Sequence, residues 1–103
     1  MDVRPAPTPI TSLPMPEDLR ASMGDNPGEI DLQWDRITGA RSYVVEFREH
    51  IGGSTWTQAK IVTGSRATVA GLVSGKTYAF RVRAIGPREI LSPWSDEAVK
   101  MAP

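Results

Sequence analysis

The sequence contains no cysteine. A disulfide scaffold, a thiolate zinc site and a cysteine nucleophile are therefore excluded, while the cellular compartment stays open. Histidine is scarce too: the single one, His50, stands next to a Gly52-Gly53 turn. A catalytic triad would need it beside a serine and a carboxylate, and metal sites generally use more imidazoles or thiols than this chain has. His50 therefore reads as a solvated loop residue. Neither charge is in excess, with 12 basic and 12 acidic residues. Nucleic-acid binders usually carry a marked basic surplus, so no nucleic-acid partner is expected. No apolar run approaches the ~20 residues of a membrane span, so no membrane insertion is expected. No glycine-rich phosphate loop is present, and no cofactor is expected. The triplets Arg-Gly-Asp and Asn-x-Ser/Thr do not occur. Nor does any window of about 11 residues show a convincing 3.6-residue apolar repeat.

What the chain has is turn formers at regular intervals. Its 103 residues make one domain. Gly24–Gly28, Gly39, Gly52-Gly53, Gly64, Gly75 and Gly86-Pro87 punctuate it at roughly 8–12-residue spacing, the rhythm of an all-β sandwich. Five of the nine prolines fall within the first 16 residues, and Pro5, Pro7 and Pro9 repeat at every second position. That spacing favours an extended, polyproline-like segment. Residues 1–14 are read as a proline-rich linker or appended tail, and 15–103 as the folded domain.

Between the turns lie alternating runs. In "EIDLQW" Ile30, Leu32 and Trp34 oppose Asp31, Gln33 and Asp35; in "SYVVEFRE" Tyr43, Val45 and Phe47 oppose Val44, Glu46 and Arg48. "TYAFRVRAI" sets Tyr78, Phe80, Val82 and Ala84 against Ala79, Arg81, Arg83 and Ile85. Weaker strands are expected in "TWTQAKIV", "ATVAGL" and "DEAVKM". "MPEDLRASMG" could begin a helix but is read as an edge strand containing Leu19 and Ala21. Period-2 alternation gives each strand one buried and one wet face. Without helices to make crossovers, the pairing should be antiparallel. The expected core is Ile30, Leu32, Trp34, Tyr43, Val45, Phe47, Val69, Leu72, Tyr78, Phe80, Val82 and Ala84. Arg81 and Arg83 then lie on the outer face with Glu46 and Arg48.

The ordered set of Pro16 and Leu19, "IDLQW", "GARSYVVEF", "GLVSGKTYAFRVRA" and "SPWS" resembles the fibronectin type III domain over the span from about Pro16 to Pro103. The resemblance implies an immunoglobulin-like sandwich of seven antiparallel strands in two sheets, A-B-E and C′-C-F-G. It makes Trp34 the core tryptophan of strand B. In "LVSGKTY", Leu72, Gly75 and Tyr78 look like the tyrosine corner, in which a hydroxyl bonds upstream backbone. The family usually has proline where Ser74 stands, a departure expected to loosen the corner slightly. The style of "GARSYVVEFRE" is similar to bacterial or phage-associated members. Such modules are attached to secreted polysaccharide-degrading enzymes or form parts of phage tails, which favours an extracellular or cell-surface setting.

The candidate site residues follow. "SPWS" carries half of a W-S-x-W-S pattern that in cytokine receptors accompanies arginines stacked on tryptophans, so Arg81 and Arg83 are candidates to stack on Trp94 or Trp56. The resemblance also implies that the loops between strands B and C and between F and G can carry ligand contacts. In the second, Arg88, Glu89, Ile90 and Leu91 form a candidate partner-binding loop, with Ile90 and Leu91 expected to be exposed. Asp31 and Asp35 share a strand face, but the plainer reading is its wet side. Asp25 and Glu29 sit in a turn without a calcium-loop motif. The expected function is a non-catalytic spacer or protein-interaction module of a larger multidomain protein, its partners a protein or neighbouring domains. The alternatives are a carbohydrate-binding module using Trp56 and Trp94 on a polysaccharide, and a receptor-type recognition domain.

Overall fold

Alternating apolar residues on short strands can be hidden only by laying two sheets face to face, about 10 Å apart. The computed structural model, which describes residues 11–52 and 54–103, has that arrangement. One sheet holds β1 (Arg20–Met23), β2 (Ile30–Gln33) and β5 (Arg66–Val69); the other holds β3 (Ser42–Glu49), β4 (Thr57–Val62), β6 (Thr77–Ile85) and β7 (Ala98–Met101). The strand orders are β1-β2-β5 and β4-β3-β6-β7, with every pairing antiparallel. They reproduce A-B-E and C′-C-F-G. The segment that could have started a helix is extended. Asp18 turns through a left-handed conformation, with φ 58°, and the strand starts only at Arg20, so Leu19 packs on the core from just outside it.

Ile30, Val45, Phe80, Val82 and Ala84 are fully shielded from solvent. Trp34 meets Tyr43 edge-on, with centroids 5.3 Å apart. Phe47 packs against the core as expected and meets Tyr78 edge-on, centroids 6.1 Å apart, but it is only partly buried. Leu13, Ile37, Ala67 and Ala102 join the core unforeseen. Leu13 falls in the stretch read as linker, yet it is 5% exposed. A Cβ on Gly86 would lie 2.9 Å from its Cδ1, so the bare glycine makes the room that Leu13 fills. The Pro5–Pro9 repeat and Gly53 lie outside the described residues.

The tyrosine corner is present. The Val73 amide donates to the Tyr78 hydroxyl at 2.9 Å, and Gly75 takes φ 87°, a conformation that a side chain hinders. Ser74, which stands where the family usually has proline, makes a contact that proline could not. Its Oγ donates to the Pro103 carbonyl at 2.8 Å, and the Gly28 amide donates to the same oxygen at 2.9 Å. A second tyrosine does similar work at the opposite end: the Ile37 amide donates to the Tyr43 hydroxyl at 2.9 Å.

Two mutations test this arrangement. Trp34→Ala should cost roughly 3–5 kcal/mol, a large part of the ~5–15 kcal/mol total of a typical domain; an unchanged melting curve would show Trp34 is not in the core. Tyr78→Phe keeps the ring and deprives the Val73 amide of its acceptor, with an expected cost of about 1–3 kcal/mol in denaturant unfolding.

Candidate functional site: an arginine–tryptophan ladder and the loop beside it

Side chains opposite one another in antiparallel strands share a face. Register therefore assembles the outer face of the four-stranded sheet. Glu46 pairs with Arg81, Val44 with Arg83 and Arg48 with Ala79. Between β3 and β4 the register slips: Val45 faces Lys60, but Glu46 faces Gln58, leaving Ala59 as an extra residue. A one-residue slip reverses the side on which the following side chains project. The bulge therefore turns Gln58 and Trp56 outward, toward Arg48 and Arg81, where uninterrupted pairing would have turned them inward.

The result is a ladder. The Arg48 guanidinium carbon lies 4.6 Å and that of Arg81 4.3 Å from the Trp56 ring centre. Arg81 also lies 4.0 Å, and Arg83 4.4 Å, from the Trp94 centre. The order is Arg48, Trp56, Arg81, Trp94, Arg83. Two guanidinium groups could share one ring face only in close like-charge contact, so each tryptophan has a cation on either side. Glu46 braces the middle rung, its Oε1 accepting from Arg81 Nε at 2.9 Å and also from Nη2. Arg48 pairs with Glu97 at 3.3 Å. Under this roof Ala79 is fully buried and Val44 is 6% exposed, although both lie on the face expected to be wet.

"SPWS" holds Trp94 in place by a device that its sequence pattern only partly signals. Proline interrupts strand pairing, and the segment docks on β6 through serines instead. Ser92 and Ser95 donate their amides to the Ala84 and Val82 carbonyls at 2.9 and 2.8 Å. Their hydroxyls accept from the Ala84 and Val82 amides at 2.7 and 3.0 Å. Both serines are buried. The signal available beforehand was their three-residue spacing around Pro-Trp.

The adjoining loop, Gly86 to Leu91, contains a short 3-10 turn at Pro87–Glu89. Arg88 and Glu89 both adopt left-handed backbone, with φ 56° and 61°, costly for side-chain-bearing residues. Leu91 is 48% exposed, as expected. Ile90 is not: it is half-buried and packs against the core, at the close of a turn in which its carbonyl accepts from the Gly86 amide at 2.7 Å and its amide donates to the Pro87 carbonyl at 3.2 Å.

The remaining polar candidates are engaged or scattered. Thr68 Oγ1 donates to Asp31 at 2.7 Å, while Asp35 is exposed. Asn26 donates to Glu29 at 3.2 Å. Among the described residues no group of three or more His, Asp or Glu side chains could hold a metal. Lys76 has its pKa raised by a hydrogen bond and the charge of Glu49, at 2.7 Å. His50 is exposed. Among the described residues no helix is long and apolar enough to cross a membrane.

Two antiparallel sheets ordered A-B-E and C′-C-F-G, a tyrosine corner and a strand-B core tryptophan define a fibronectin-type sandwich. The fibronectin type III family model matches residues 14–99, and the chain belongs to that family. It is 46% identical over 61 residues, 54% of this chain, to a titin homolog from Caenorhabditis elegans; it spans 0% of that relative's length to the nearest per cent. Its fold is similar to an Fn3-like protein from Clostridium thermocellum, at 24% identity and TM-score 0.74, covering 86% of this chain and 92% of that one. It is also similar to a crystal structure of titin domains, at 23% identity and TM-score 0.75, covering 87% of this chain and 32% of that one.

Arg81→Lys tests the ladder, because lysine keeps the charge but not the plane that lies between two rings. The expected loss is about 1–2 kcal/mol of unfolding free energy, with a changed near-ultraviolet tryptophan dichroism. An unchanged spectrum would mean the rungs are not stacked in solution.

Proposed function

We propose that this fibronectin type III domain is a non-catalytic module, a spacer or protein-interaction unit within a larger multidomain protein. The observation that supports this reading best is where the chain enters and leaves the fold. Leu13 packs beside Gly86 and Gly39 at one end of β6. Pro103 is held by Gly28 and Ser74, beside the corner that starts β6. Segments preceding and following the sandwich would therefore attach at opposite poles, the geometry of a link in a linear array. The engaged state of Asp31, Glu46, Ser92 and Ser95 also favours a structural module over an enzyme.

The interaction part of this role belongs to the loop of Arg88, Glu89, Ile90 and Leu91. Backbone strain held in an exposed loop is a mark of functional segments, and here it presents Arg88 and Leu91. A polysaccharide role is less favoured, since a sugar would have to displace an arginine to reach the face of Trp56 or Trp94.

The spacer geometry is testable by small-angle X-ray scattering on tandem copies. The nine residues of β6 span about 30 Å at ~3.3 Å per residue. The maximum dimension should therefore grow by about 30 Å or more per added copy. A particle that stays compact would contradict the in-line arrangement.

A further inference from the structure

Two of the three ladder arginines have carboxylate partners: Arg81 has Glu46 and Arg48 has Glu97. Arg83, at the open end, has none among the described residues. Its Nε is closed off from solvent without a hydrogen-bond partner, which leaves the terminal Nη groups as its donors toward a ligand.

The surroundings of Arg83 are apolar, and register places them on the same face. Val44 lies directly opposite Arg83, and Ile61 lies opposite Val44. Ile85 follows two residues along β6 and bridges to Leu91. Ile61 is 54% exposed and Leu91 48% exposed. A single unneutralised guanidinium, braced against Trp94 and flanked by two exposed aliphatic side chains, is thus left on an otherwise paired sheet face.

We propose that this corner is a docking surface for an acidic, aliphatic segment of a partner protein. One carboxylate would take the Nη edge of Arg83, and neighbouring leucine- or isoleucine-type side chains would lie against Ile61 and Leu91. Charge complementarity selects the acidic partner, since a guanidinium presents a planar fork that matches a carboxylate. Burial of Nε and stacking on Trp94 fix that fork in advance, which lowers the ordering cost of binding. A polyanion such as nucleic acid fits less well, because the adjacent guanidinium groups already have carboxylates and one remaining charge gives little counterion release. The apolar flanks point the same way. This inference rests on the interaction-module reading and narrows it to one surface and one partner chemistry.

The test is NMR titration of the chain with a blocked Leu-Ser-Glu-Ser-Leu peptide, whose first, third and fifth side chains share one face when extended. Saturable shifts are expected at the Trp94 indole N–H and the Ile61 and Leu91 methyl groups. Arg83→Gln should weaken binding on the order of tenfold, the equivalent of ~1.4 kcal/mol. Should Arg83→Gln unfold the ladder, Ile61→Asp keeps the arginine, changes only an exposed position on the edge strand β4, and should abolish binding by like-charge repulsion. The proposal is overturned by any of three results: no shifts with the acidic peptide, equal shifts with a leucine–lysine peptide, or binding that survives Ile61→Asp. Equal binding to inorganic polyphosphate would assign the site to polyanions and overturn it as well. Any of these outcomes removes this surface alone, because the spacer reading is judged independently by scattering from tandem copies.

Discussion

Closing two apolar sheet faces over Trp34, Tyr43 and Phe80 imposes the constraint on which everything else depends. At the ends and edges of the sandwich, backbone amides run out of strand partners just where water is being excluded. An unpaired buried amide costs about as much as the net gain from one or more hydrogen bonds. Here the deficit is met by side-chain hydroxyls. Tyr43 takes the Ile37 amide, Tyr78 the Val73 amide, Ser92 the Ala84 amide and Ser95 the Val82 amide. Each hydroxyl fixes a turn or an irregular strand that the core alone would leave loose.

The outer face of the larger sheet solves a related problem. Ala79 and Val44 need cover, yet this face carries Glu46, Arg48, Arg81 and Arg83. Alternating guanidinium planes with indole rings lets charged residues act as a roof: the stems cover apolar surface while the charged heads are stacked and, in two cases, paired. This is why Trp56 and Trp94, far apart in sequence, behave as one unit. It is also why their rings offer little to a sugar.

Much of the fold could be read from spacing. Clean alternation in "EIDLQW", "SYVVEFRE" and "TYAFRVRAI" placed β2, β3 and β6 and nearly all of their buried residues, because period-2 patterning is a local property. Leu72, Gly75 and Tyr78 announced the corner in the same way. Other features depend on contacts that no local pattern encodes. The bulge at Ala59 shows only against β3, and it decides which way Trp56 points. Leu13 looked like linker because its prolines dominate the neighbourhood, but its pocket is made by Gly86 from the far end of the chain. Ile90 and Leu91 are equally apolar, and what separates the half-buried one from the exposed one is the path of the turn from Gly86 to the Ile85–Leu91 bridge. Ser74 stands where the family has proline, and its hydroxyl partner, Pro103, comes from the far end of the chain.

The account turns on hydroxyls standing in for absent strand partners, and amide hydrogen exchange followed by NMR measures that directly. The amides of Ile37, Val73, Val82 and Ala84 should be protected to a degree approaching that of the β3–β6 ladder, since each can exchange only when its end of the sandwich opens. Exchange of Ile37 and Val73 at the rate of an open loop, with the β3–β6 amides still protected, would contradict it.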